Sequence, residues 1–332
     1  MRILVTGCSG FLGSEIVRQL IDRGDEVVGL SRRETPDLVR LGMQHHRGDL
    51  ADVDYVNRTI ADVDVVIHTA AVAGVWGPWK HFYVNNVVAT RNVLAACKSS
   101  GASQCIYTSS PSVTFAGGHQ SGIDESAGYP DRWLCHYPHT KAIAEQEVLA
   151  ADSVGGLRTV SLRPHLIWGD GDPHLLPRLL DRARSGRLRI IGDGENRIDT
   201  VHVTNAASAH VSAIGAIASS PESAAGRAYF IAQDEPVRCW EWISRLCQKF
   251  DAPPPTRHIS YRAAYAIGAT CEAVYKALRR REEPPMTRFV AAQLAKDHYF
   301  DITAAKERLG YRPTVSMEEG LDRLSRGEKT PV

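Results

Sequence analysis

The opening segment "MRILVTGCSGFLGSEIVRQLIDRG" constrains the fold of this chain more than any other. The strand-like run "RILVTG" (2–7) brings in Gly7, Gly10 and Gly13, spaced GxxGxxG. Leu12, Ile16 and Leu20 then recur at helical spacing, up to Gly24. That pattern is a strand, a glycine loop and an amphipathic helix. Glycine permits a tight turn and a close approach of backbone to a pyrophosphate, and a helix N-terminus adds positive potential. The spacing is not the commoner GxGxxG, and three glycines alone would also make a turn. Their place at the first strand-to-helix junction is what points to a dinucleotide. Gly7, Gly10, Phe11, Leu12 and Gly13 are expected to wrap its phosphates.

The alternation continues. "EVVGLS" (26–31), "VDVVIHTA" (63–70), "QCIYTSS" (104–110) and "LRTVSLR" (157–163) read as strands, with helices at roughly 84–99 and 138–151. Near-continuous apolar strands between helices imply a parallel sheet covered on both faces. The expected class is α/β, a Rossmann-type doubly wound parallel sheet with a smaller α/β substrate lobe. After about residue 165 Pro and Gly become frequent. Residues 174–186 read as a helix, 187–203 as strand, turn and strand, and the Ala/Ser-rich stretch 206–221 as a buried helix. A dinucleotide-binding domain is expected over 1–165, with a return segment near 196–220, and the substrate lobe mainly over 166–332.

With 332 residues there is material for a large core. A net charge of +1, with 23% charged residues, gives no reason to expect nucleic acid as the main partner. The seven cysteines show no CxxC or metal-ligand spacing, so no metal is expected. No apolar run approaches the ~20 residues of a membrane span. The chain runs straight into its first strand without a charged leader. A cytoplasmic protein with reduced thiols is the expectation.

At the end of the second strand, a dinucleotide fold that binds NAD carries an acidic residue for the ribose hydroxyls. Here Ser31 and Arg32 stand at that point, followed by Arg33. A hydroxyl and a guanidinium suit a 2′-phosphate, so NADP is favoured over NAD, with Glu34 working against it. In "GDL" (48–50), Asp49 and Leu50 are expected at the adenine edge.

The motif "YPHTK" (137–141) places Tyr137 and Lys141 one helical turn apart on one face. Pro138 fits a first turn, where its missing N–H costs little. An ammonium beside a phenol favours phenolate, an oxidised nicotinamide would add a second positive charge, and together they are expected to bring the Tyr137 pKa towards the working range of a general acid/base. Ser110, at the carboxyl end of the "YTSS" strand, is expected to hydrogen-bond the reacting oxygen.

The blocks "VTGCSGFLG", "VNNVVATRNVLAAC", "YTSS", "YPHTKAIAEQ", "LRPHLIWGDGD" and "VHVTNAASAH" resemble, in order and over nearly the whole chain, the extended short-chain dehydrogenase/reductase family. "AAVAGVWG", "LRPHLIWG" and "EPPMTRF" carry a further resemblance to its 3β-hydroxysteroid dehydrogenase-like branch, especially the bacterial 2-alkyl-3-oxoalkanoate reductases. The resemblance implies NAD(P)-dependent interconversion of a 3-hydroxyl and a 3-ketone on a hydrophobic small-molecule substrate. It implies Tyr137 as acid/base, Lys141 as holder of the ribose and Ser110 as polariser of the substrate oxygen. Thr69, Ala70, Ala71 and Asn85 would line the cofactor, and Pro164 and His165 would flank the nicotinamide. A homodimer formed through the helices near 84–99 and 138–151 is also implied.

Residues 260–281 put apolar side chains near helical spacing ahead of a basic end. That suits a packing helix, a lid over an apolar substrate, or a weak membrane-surface contact. Trp76 and Trp79 read as an aromatic wall or a loop anchor. Two rival functions share the fold. One is a nucleotide-sugar epimerase or dehydratase, with Arg197 near a phosphate. The other is a non-enzymatic NADP(H) sensor, which the retained Tyr–Lys pair disfavours.

Overall fold

The computed structural model describes residues 1–324. Seven strands form one parallel sheet in the order Arg227–Ile231, Arg158–Pro164, Gln104–Thr108, Val65–His68, Arg2–Thr6, Glu26–Ser31, Gln44–Arg47. Strand order reverses between Arg2–Thr6 and Val65–His68, and in such sheets ligands bind outside the carboxyl ends of the strands at that point.

The first strand shows why both faces are covered. Side chains alternate across a strand, so Ile3 and Val5 join one apolar cluster and Leu4 joins another. The Ile3 cluster takes Ile16 and Leu20 of the helix Phe11–Asp22, and Ala206, Ala213 and Ile214 of the helix Val203–Ser219. The alanines let that second helix approach closely, which accounts for the nearly uncharged stretch in the sequence. The Leu4 cluster takes Val93 and Leu94 of Ala89–Ser100, and Ala144 and Val148 of His136–Ala150. The return from the lobe extends past the expected 196–220: its strand, Arg227–Ile231, pairs in parallel with Arg158–Pro164.

A second, four-stranded sheet joins Val237–Arg238, Arg197–Ile198, His298–Phe300 and Gln120–Ile123. It accompanies a third core around Trp168, Leu176, Trp240, Trp242 and Leu246. All seven cysteines are free. Among the described residues, no helix is long and apolar enough to cross a membrane.

Candidate active site

One cleft of about 830 Å³ opens at the switch point of the large sheet. It gathers nearly every residue singled out from the sequence. Gly7, Gly10, Phe11, Leu12 and Gly13 line it, as do Ser31, Arg32, Asp49 and Leu50. Thr69, Ala70, Ala71, Asn85 and Pro164 also line it, together with Ser110, Tyr137 and Lys141.

The glycine loop is a cradle that side chains would fill. A Cβ on Gly13 would stand 2.3 Å from the Gly7 carbonyl oxygen, and one on Gly7 would stand 2.8 Å from Thr69 Oγ1. Gly7 also holds φ +71°, the left-handed region that favours glycine. No side chain caps the helix that starts at Phe11, so its first amides are oriented for an anion. These features fit the pyrophosphate of a nicotinamide dinucleotide.

The adenosine end differs in detail from the sequence reading. The Ser31 hydroxyl is buried and donates to the Arg33 carbonyl at 2.6 Å, with His45 Nε2 at 3.0 Å. It braces the turn. Arg32 is exposed at the cleft and reaches Asn85 Oδ1 at 3.4 Å, and Arg33 also lines the cleft. Glu34 is drawn away into an ion pair with Arg47 at 3.1 Å. Asp49 Oδ1 accepts from the Ala51 amide at 2.9 Å, which fixes the turn beside Leu50.

Tyr137 and Lys141 begin the helix His136–Ala150. Burial pushes the Tyr137 phenol up to about 12, with the Ser110 hydroxyl acting in the opposite sense. Burial thus opposes the lowering expected from Lys141 together with an oxidised nicotinamide. The Lys141 ammonium is fully buried, donates to the Thr108 carbonyl at 2.5 Å and lies 4.1 Å from the centre of the Tyr107 ring. Burial drops its own pKa to about 7, and Glu145 acts to raise it. At neutral pH the phenol is therefore protonated and the amine is near its midpoint. The Ser110 hydroxyl meets Ser112 Oγ at 2.8 Å, at the start of the short turn Pro111–Thr114.

Several residues that complete the site escaped the sequence reading. Glu145 is one turn beyond Lys141 and fully buried. It accepts from Arg163 at 2.6 Å, from Ser161 at 2.7 Å and from the Tyr129 hydroxyl at 2.8 Å. The i, i+4 step from Lys141 was the available signal. Asn86 receives the Val72 amide at 2.7 Å and donates to Thr140 Oγ1 at 3.1 Å, which ties the cleft loop to the Tyr137 helix. His68 bridges Thr6 at 2.7 Å and Thr90 at 3.0 Å, and burial drops its pKa to about 3, so the bridge is neutral. Asp172 lines the cleft and accepts from the amides of His174 and Leu176 at 2.8 Å.

His165 is a correction. It does not join Pro164 in the cleft wall. Its ring is buried against Phe300 and contacts His298 Nδ1 at 2.6 Å. His298 Nε2 meets the Gln293 carbonyl at 2.6 Å. A carbonyl only accepts, so His298 is protonated on Nε2 and His165 donates from its own Nε2. Arg197 does not reach the cleft either. It donates to the Pro236 carbonyl at 3.3 Å and lies over Tyr299. Trp76 donates to the Arg280 carbonyl at 3.2 Å, and Trp79 stacks on Tyr83. Both tryptophans anchor the loop between them rather than wall the cleft.

Residues 4–260 match the 3-beta hydroxysteroid dehydrogenase/isomerase family. The chain is 46% identical to a 2-alkyl-3-oxoalkanoate reductase of Stenotrophomonas maltophilia, over 98% of both chains. It is 44% identical to a 2-alkyl-3-oxoalkanoate reductase of Shewanella oneidensis, over 96% of this chain and 84% of that one. Among solved structures it is similar to MoeE5 in complex with UDP-glucuronic acid and NAD, with a TM-score of 0.74 at 26% identity, covering 98% of this chain and 97% of that one.

Proposed function

The chain belongs to the 3-beta hydroxysteroid dehydrogenase/isomerase family, and from that premise we propose that it reduces the 3-ketone of a hydrophobic 2-alkyl-3-oxoalkanoate. It is an NAD(P)-dependent oxidoreductase acting on hydroxyl and keto groups. The finer reading rests on one observation: Ser110, Tyr137 and Lys141 line the same cleft as the glycine cradle.

A bound nicotinamide dinucleotide supplies the hydride. Gly7 to Gly13 would hold its pyrophosphate. Arg32 and Arg33 would hold a 2′-phosphate, which makes NADPH the preferred form, and Lys141 would hold the nicotinamide ribose. Ser110 and Tyr137 hydrogen-bond the ketone oxygen, where negative charge develops. Tyr137 then gives up its proton. A phenol titrating near 12 is present in its donating form at neutral pH. Lys141, titrating near 7, can release or take a proton as the phenol is restored.

The test is to follow oxidation of NADPH and of NADH against 2-alkyl-3-oxo acids, 3-ketosteroids and UDP-sugars. Turnover of the oxo acids with NADPH is the expected result. Tightly retained NAD with isomerisation of a UDP-sugar, and no net redox, would replace this reading with that of an epimerase.

A further inference from the structure

Leu166 holds a backbone shape that leucine avoids. Its φ is +41°, in the left-handed region where the Cβ of an L-residue crowds a carbonyl oxygen. The other non-glycine residues at positive φ among the described residues are Ser153, Asp234, Asp251 and Arg279. Leu166 is thus the apolar member of the set, and it is also the one that lines the cleft. Strain of this kind persists only where the surrounding structure over-determines it, and it collects at ligand sites.

Three tethers hold this shape. Leu166 falls in the break between the strands Arg158–Pro164 and Ile167–Trp168. The first strand pairs in parallel with Arg227–Ile231 and the second with Val201–His202. Before the kink, the His165 amide donates to the Ile231 carbonyl at 3.1 Å; after it, the Val201 amide donates to the Leu166 carbonyl at 3.4 Å. The third tether is the His165 side chain. Its buried ring donates to His298 Nδ1 at 2.6 Å, and His298, also buried, donates to the Gln293 carbonyl at 2.6 Å. The chain is thus fixed at His165, outside the cleft, while Pro164, Leu166 and Ile167 line it.

The large apolar side chains of the cleft come from two places. Phe11, Leu12, Leu30 and Leu50 stand in or beside the segments assigned to the dinucleotide. Leu166, Ile167 and Leu175 come from the stretch that leads into the lobe. Leu166 and Leu175 also pack against the lobe core around Trp168 and Trp242, so this wall has a solid backing. We propose that Leu166 selects the apolar chain of the substrate, and that His165 and His298 are the positioning residues that set it. The choice of an apolar ketone as substrate rests on the proposed function. A leucine fixed by its own backbone presents an apolar surface that needs little ordering when a ligand binds. That is a use for a conformation which leucine would otherwise abandon.

The test is fluorescence titration of the NADP-loaded full chain with cis-parinaric acid, a fluorescent long-chain polyene acid. The wild type is expected to bind it. Leu166→Asn should weaken the probe roughly 10-fold, the scale of a methylene lost against a hydrophobic wall. Asparagine tolerates a positive φ, so melting temperature and NADP affinity should be retained. His298→Ala, which frees the His165 ring, should weaken the probe to a similar extent. His298→Asn restores an acceptor facing His165 and should recover part of the loss. If the histidines act through Leu166, the double variant Leu166→Asn with His298→Ala should bind no more weakly than Leu166→Asn alone. No binding by the wild type overturns the proposal, as does equal binding by Leu166→Asn. Additive losses in the double variant overturn the positioning role of the histidines. Because the probe is read without turnover, a wild type that binds it yet reduces no oxo acid bears out this wall and fails the reductase reading alone.

Discussion

Replacing Lys141 by methionine should make the protein more stable at neutral pH while abolishing turnover. Lys141 is 1% exposed, and its pKa falls from an ordinary 10.5 to about 7, chiefly through burial. Each unit of pKa is worth about 1.36 kcal/mol, so holding the ion inside costs on the order of 4–5 kcal/mol at low pH. Methionine has a similar length and carries no charge, but it leaves the Thr108 carbonyl without its donor. An unmet buried acceptor costs about 1–3 kcal/mol. The net gain is then roughly 1–4 kcal/mol at pH 6–7.

The pH dependence gives this prediction its edge. Below pH 7 the lysine is charged in both folded and unfolded chains, and the wild type bears the full penalty. Between about 7 and 10.5 the unfolded chain binds more protons, so wild-type stability rises with pH. Above 10.5 both states are neutral and the penalty is gone. The advantage of the variant should therefore shrink with pH and reverse by about pH 10, where only the lost hydrogen bond remains. Urea unfolding of both proteins at pH 6, 8 and 10 reads the difference directly. A variant less stable at pH 6, or a difference that does not change with pH, would refute the reasoning.

Two further outcomes follow from the same cleft. Arg32→Ala should weaken NADPH by about 10- to 100-fold, the worth of one charge-assisted hydrogen bond, and leave NADH nearly unchanged; KM measured for each cofactor checks it, and equal loss would place the 2′-phosphate elsewhere. Glu145→Gln strips Arg163 of its carboxylate deep in the protein and should destabilise by about 3–5 kcal/mol. Pairing it with Arg163→Met should recover part of that loss in thermal unfolding, while the Lys141 pKa moves lower still for want of the nearby negative charge.

What could be read in advance was local. Gly7, Gly10 and Gly13, Tyr137 with Lys141, and the Ala-rich helix all announce themselves by spacing along a few turns. Their elements then converge because a doubly wound sheet has one switch point. Spacing along the chain does not report partners distant in sequence. The His165 ring is engaged by His298, 133 residues on, and not by the cleft. Ser31 looked free for a phosphate, whereas the Arg33 carbonyl and His45 engage its hydroxyl. At Tyr137, burial, which spacing does not report, raises the phenol. The lobe was read only coarsely, since strands of two residues such as Arg197–Ile198 and Val237–Arg238 carry no periodicity.

The central claim is that the Tyr137 phenol donates the proton beside the hydride path. Its most direct test is Tyr137→Phe, assayed for NADPH binding by fluorescence and for turnover of a 2-alkyl-3-oxo acid in the same preparation. The account predicts unchanged cofactor affinity with turnover lower by about a hundred- to ten-thousand-fold, the usual worth of a positioned proton donor. Turnover close to that of the wild type would contradict it.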